Sequence, residues 1–183
     1  MQFEESKSIR DKNGRYIIIQ GKLFNKPVVL ANVYAPNWDD VDFFRNLFSL
    51  LPGLDSHELI LGGDLNCVLD SVLDCSGSKV TTPNKSASCI NTFLQAYGVV
   101  DPWRCKYPNS KQFSFFSPVH QTYSRIDCFF NRPKTIAHNY TGGIQQYSHI
   151  RPLPSTFEAP FPENILRQRV WRLNPRLLLS RNQ

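Results

Sequence analysis

No pair of cysteines stands at C-x-x-C spacing in this 183-residue chain, and the five that occur, Cys67, Cys75, Cys89, Cys105 and Cys128, are odd in number. Neither a zinc site nor a disulfide framework is signalled, and a reducing compartment fits best. Apolar runs are also short. None approaches the roughly 20 residues that cross a bilayer, and the opening MQFEESKSIRDKNGRY lacks the apolar stretch of a secretory signal. An intracellular protein without membrane contact is therefore expected. The glycosylation sequons Asn84-Lys-Ser and Asn139-Tyr-Thr are then chance matches. No internal repeat appears.

What is present is ordinary globular material. Hydrophobic residues make up 41%, charged residues 20% and aromatics 13%, enough to fill a core. The length suits one domain with a tail. A net charge of +6 and a pI near 9.2 make a polyanionic partner plausible, since clustered Lys and Arg displace counterions from a phosphate backbone.

The runs RYIIIQGKLF and KPVVLANVYAPN, separated by NK, read as a hairpin feeding a buried strand that stops at Pro36. WDDVDFFRNLFSLLPGL follows with Asp39 or Asp40 as N-cap, apolar residues at helical spacing from Val41 to Leu51 and a Pro-Gly stop. ELILGGDLN is the next strand. Residues 71–86 are polar and punctuated, hence a loop, and SASCINTFLQAYG reads as a Ser-capped helix with a glycine stop. KQFSFFSP and TYSRIDCFFN read as aromatic strands joined by a proline-containing turn. SHIRPLPSTFEAPFPEN carries four prolines, which fix φ and remove donors. The domain is therefore placed at 1–150, with a basic, proline-rich linker and tail at 151–183.

Polar residues gather at the ends of these β-like runs: Tyr34 and Asn37, Asp64 and Asn66, Ser114, Asp127, and His149 further on. In an α/β sandwich, strand ends are where loops build a site. A carboxylate, an amide, a phenol and a His–Asp combination suit holding a phosphodiester and activating a water. Each also has a bland explanation. D-x-N is a common Asx-turn, and a lone Tyr or His is commonly structural.

The wording of the motifs adds to this. NVYAPN, LILGGDLNCVLD, FSFFSPVHQTYSRIDCFF and WRLN resemble, in the same order, the endonuclease domain of LINE-type non-LTR retrotransposons, of the apurinic-endonuclease-like branch of the endonuclease/exonuclease/phosphatase superfamily. The resemblance runs from about residue 7 to Asp127. It implies a four-layer-type α/β sandwich that is a magnesium-dependent DNA-nicking hydrolase, nuclear, and joined to a reverse transcriptase lying outside this chain. On that resemblance Tyr34 contacts the scissile phosphate, and Asp64 and Asn66 handle the leaving oxygen and attacking water. Asn37 and Ser114 line the site, while Asp127 orients His149.

Two departures stand beside these matches. The family's first strands carry an Asn and a metal-binding Glu, and the sequence begins downstream of both, with Glu4 and Glu5 standing in the strand region that follows. The family's closing Ser-Asp-His is replaced by YSHI, so the aspartate before His149 is missing. An incomplete sandwich is expected, with phosphate-handling groups kept, few carboxylates left for a hard cation and impaired activity. Three readings follow: an impaired nuclease of this type, an inactive remnant that associates with nucleic acid through charge, and a relative acting on phospholipid or inositol phosphate. SRID with FSFFS fits the last least well.

Overall fold

A computed structural model describes residues 3–77 and 84–132, and the backbone alone of 156–157 and 171–172. In chain order the elements are β1 (Phe3–Arg10), β2 (Tyr16–Leu23), β3 (Lys26–Tyr34), α1 (Val41–Ser49), β4 (Glu58–Asp64), α2 (Lys85–Tyr97) and α3 (Pro102–Lys106). Then come β5 (Phe115–Ser117), β6 (Thr122–Ser124), β7 (Asp127–Asn131), β8 (Thr156–Phe157) and β9 (Trp171–Arg172). Five strands form one mixed sheet in the order β1-β2-β3-β4-β7, with β3 and β4 parallel and the other neighbours antiparallel.

Alternation along the strands divides the sheet into two faces. Ile18, Ala31, Leu61 and Phe130 lie side by side on one face, as do Val29 and Leu59, and all are buried. Helices α1 and α2 cover that face with Phe44, Leu47, Ile90 and Phe93, and Phe48 stacks on Phe93 at 3.9 Å. The opposite face carries Ile19, Leu30, Ile60 and Phe129, all half-buried, as an incomplete sandwich would leave them. A one-residue slip would exchange these sets, so burial fixes the register.

The helix ends are set by side chains. Asp40 caps α1, accepting from Phe43 N–H at 2.9 Å. Asp39, the alternative cap, instead accepts from the N–H groups of Lys85 and Ser86 and from the Ser86 hydroxyl, tying the two helix starts together. These bonds, the Ser86 hydroxyl foremost, hold the Asp39 carboxyl below its ordinary range. Gly98 ends α2 at φ +59°, the left-handed conformation glycine tolerates best.

Several sequence expectations need correction. The β2–β3 turn is made by Phe24 and Asn25, both at positive φ, while Lys26 already belongs to the strand. Two positive φ values are what a tight hairpin turn matched to strand twist requires. The cap of α2 is Asn84 and no serine, and Lys85 and Ser86 are helical rather than loop. Ser86 lies inside the first turn, buried on Asp39. TYSRIDCFFN is two strands, because Arg125 and Ile126 leave the β5–β6 hairpin to enter the main sheet at Asp127. Helix α3, capped by Asp101, falls where no element was expected. Of the 151–183 tail, only the short β8–β9 pair is described.

Gly63 explains the double glycine before Asp64. Its φ is +135°, and a Cβ there would lie 2.0 Å from the Val33 carbonyl oxygen. Gly63→Ala should therefore cost at least about 2 kcal/mol, from backbone strain and the displaced neighbouring strand. A thermal melt should show a fall of about 5 °C or more. An unchanged melting temperature would mean that β3 and β4 are not pressed together here.

Candidate functional site

The strand register builds the site. Tyr34 is the parallel partner of Asp64, and Asp64 is the antiparallel partner of Asp127. Three side chains from three adjacent strands thus stand in one row, on the sheet face away from the helices. The row is closed by backbone bonds just beyond it. Ala35 N–H donates to the Asp64 carbonyl at 2.8 Å, and Leu65 N–H to the Ile126 carbonyl at 2.8 Å.

Asp64-Leu65-Asn66 forms an Asx-turn, with Asn66 N–H donating to Asp64 Oδ1 at 2.8 Å and Asn66 at φ +48°. The turn does more than reverse the chain. It directs Asn66 Nδ2 to the Ala35 carbonyl at 2.8 Å, locking the loop after Tyr34 to the loop after Asp64. Asn37, in that same loop, is exposed. Ser114 supports the third strand: its Oγ accepts from the N–H groups of Ile126 and Asp127 at 3.2 and 3.1 Å, and its hydroxyl also bonds the Asp127 carboxyl. Tyr34, Asp64, Asn66, Ser114 and Asp127 are therefore brought together. His149 lies outside the described residues.

Burial, and then the neighbouring Asp127 carboxylate, push Asp64 up to about 6, against the lowering pull of Asn66 N–H. Burial likewise raises Asp127, opposed by Ser114. No positive side chain among the described residues offsets either one. Burial foremost, and then Asp39 and Asp64, push the Cys67 thiol up to about 12, so it is no nucleophile at neutral pH.

Among the described residues no three His, Cys, Asp or Glu side chains gather as a metal cage. Asp64 and Asp127 together nevertheless suit one hard cation. Magnesium is typically held by one or two carboxylates, with water and substrate phosphate completing its shell. Two adjacent, poorly compensated carboxylates are such donors. Few carboxylates for such a cation were expected, and the register sets Asp127 beside Asp64.

A group that the sequence reading missed underlies Asp127. Arg125, 3% exposed, forks onto both oxygens of Asp74, 1% exposed, at 2.8 and 3.1 Å, and reaches Asp101 at 2.7 Å. Arg104 also pairs with Asp74, and Arg125 N–H donates to the Asp74 carbonyl at 2.9 Å. Two acids and two arginines, of which Asp74 and Arg125 are nearly closed to water, thus fix the chain two residues before Asp127. The Arg in SRID was visible, but its partners lie 51 and 24 residues away in sequence.

No protein-family model matches the chain. Among solved structures it is similar to the AP endonuclease LMAP from Leishmania major, with a TM-score of 0.55, 17% identity, and coverage of 68% of this chain and 48% of that one. It is also similar to the endonuclease domain of TRAS1, a telomere-specific non-LTR retrotransposon, with a TM-score of 0.50, 14% identity, and coverage of 76% and 59%. The chain has the fold of the endonuclease/exonuclease/phosphatase superfamily. One of these neighbours comes from the class of retroelement that the motifs resemble. The chain spans about half the length of the first structure and three-fifths of the second. No helix among the described residues is long and apolar enough to cross a membrane.

Two predictions concern this site. Asp64 has a folded pKa of about 6 against an ordinary 3.8, so the folded state holds the extra proton between those values. Its stabilising effect is complete below the lower value and lost as pH rises through the upper one. Asp64→Asn, which keeps the Asx-turn acceptor, should raise the melting temperature at about pH 7.5 and leave it near wild type at about pH 4. Magnesium should raise the wild-type melting temperature at the higher pH and leave Asp64→Asn unmoved. A carboxylate contributing no such strain would give equal melts at both pH values.

Arg125→Met should cost about 3 to 5 kcal/mol, because Asp74 would remain buried without its main partner. Adding Asp74→Leu to Arg125→Met should recover a large part of that loss. Denaturant melts of the single and double variants measure it, and additive losses would show that the pair is not the energetic unit.

Proposed function

We propose that the chain is a nuclease-type phosphodiesterase derived from a non-LTR retroelement endonuclease, which nicks DNA by metal-assisted hydrolysis at a reduced rate. The observation that carries this reading is the Tyr34–Asp64–Asp127 row at adjacent strand ends in a fold of that superfamily. The Tyr34 hydroxyl holds a phosphate oxygen, and Asn66, fixed by Ala35, orients the attacking water. Asp64, already pushed up toward neutrality, exchanges a proton with that water or with the leaving oxygen. Asp127, braced by Ser114, orients His149 on the strength of the resemblance. Magnesium, held by Asp64 and Asp127, would neutralise charge developing on the phosphate, worth several kcal/mol.

The reduced rate follows from YSHI, which places no aspartate before His149. Each 1.4 kcal/mol or so of missing charge stabilisation is tenfold in rate. A second reading, association with nucleic acid without catalysis, rests on the same absence and on the net charge of +6. Residues 1–150 form the nuclease-like domain in this proposal, and 151–183 a basic linker toward a reverse transcriptase, in a protein that acts in the nucleus.

Supercoiled plasmid incubated with and without magnesium tests the reading. Slow nicking that needs magnesium, disappears in Asp64→Ala and accelerates when Ser148 is replaced by Asp is expected. No nicking by any of these, with salt-sensitive DNA binding retained, favours the second reading.

A further inference from the structure

Beside the row, and sharing Tyr34 with it, lies a cluster whose other two members, Arg15 and Trp38, the site does not use. Trp38 is 61% exposed and Tyr34 47% exposed, large areas for aromatic rings. Between them sits the Arg15 guanidinium, 5.3 Å from the Tyr34 ring centroid and 5.8 Å from that of Trp38. Of the six arginines whose side chains are described, four have a carboxylate partner. Arg15 has none. It is held by the two rings and by a 3.4 Å bond from Nη1 to the Ala35 carbonyl, while its own carbonyl accepts from Tyr34 N–H at 2.7 Å.

That Ala35 carbonyl is the same one that receives Asn66 Nδ2, so the cluster is bonded directly to the loop pair of the site. A cation without a carboxylate between two exposed rings matches two features of a nucleotide: the anionic phosphate and the flat base. A base can lie on the indole only when it is out of its stack, since paired bases have their faces covered. Resting on the reading of this site as one for nucleic acid, we infer that Trp38, Tyr34 and Arg15 form a platform for one unpaired nucleotide of single-stranded DNA next to the phosphate at the Tyr34–Asp64–Asp127 row. The Trp38 indole stacks on the base, and Arg15 takes the adjoining phosphate with its remaining N–H groups.

The test is binding of a labelled single-stranded thymidine oligomer of about 12 nucleotides to the full chain, without divalent metal so that nothing is cut. Trp38 lies on the surface, so its replacement leaves the fold intact. Trp38→Ala should weaken binding about tenfold, and Trp38→Phe should restore most of it. An oligomer with the same phosphates but abasic sugars should bind the wild type no better than thymidine binds Trp38→Ala, and Trp38→Ala should not weaken it further. Equal affinity of wild type and Trp38→Ala for thymidine, or equal losses on the thymidine and abasic oligomers, would overturn the platform. Plasmid nicking measured in parallel keeps the two ideas apart. Nicking with binding indifferent to Trp38 overturns the platform alone, and Trp38-dependent binding without nicking sustains the platform and overturns only the hydrolytic reading.

Discussion

The parallel pairing of β3 with β4 sets the height of every group at the candidate site. Parallel neighbours bring equivalent ends together, so the loops leaving Tyr34 and Asp64 emerge side by side. Their closeness depends on Gly63, whose missing Cβ leaves room for the Val33 carbonyl. Once the strands meet, Ala35 N–H can reach the Asp64 carbonyl and Asn66 the Ala35 carbonyl. These bonds make two loops into one rigid rim. A site built on such a rim holds its groups more firmly than one built on free loops.

The helices serve that rim from the other side. Asp39 follows Trp38 directly, and by accepting from the start of α2 it anchors the segment that carries both Asn37 and Trp38. The apolar stripe of α1 then holds the segment against the sheet through Phe44 and Leu47. Packing on one face and the polar row on the other are therefore joined through a few residues between Tyr34 and Val41.

Much of this was legible in the sequence because it rests on local chemistry. Alternating β-branched runs marked β2, β3 and β4, and the acid before Val41 and the glycine after Tyr97 marked the helix ends. The choice between Asp39 and Asp40 was not legible, since both fit a cap and only α2, far along the chain, engages Asp39. Ser86 misled for the same reason. Its hydroxyl suits a cap, but Asn84 lies three residues before the amide that needs an acceptor, and Ser86 is drawn to Asp39. The strand read in ELILGGDLN does run through Gly62 and Gly63 to Asp64. The motifs named the polar residues of the row, but their alignment depends on strand order, which no local pattern states. The buried Asp74–Arg125 group was hidden altogether, because charged residues in a polar loop normally face water.

That buried group clarifies the carboxylates beside it. Asp74 and Asp101 are met by Arg125, and Asp74 by Arg104 as well, so acids taken from water are repaid by fixed cations. A few residues on, Asp64 and Asp127 are also withdrawn from water and face each other, and the described chain supplies no cation for them. The contrast is informative, because the protein compensates one acidic pair within a short distance of leaving another uncompensated. A structural pair gains nothing from that arrangement, since replacing one member by an amide would keep the Asx-turn and remove the repulsion. A pair that must bind a cation or pass a proton needs the imbalance, because its readiness to do either comes from burial first and from the neighbouring carboxylate second. The imbalance therefore supports the proposed working role of the Asp64–Asp127 pair, and Arg125 holds the start of the strand that carries Asp127.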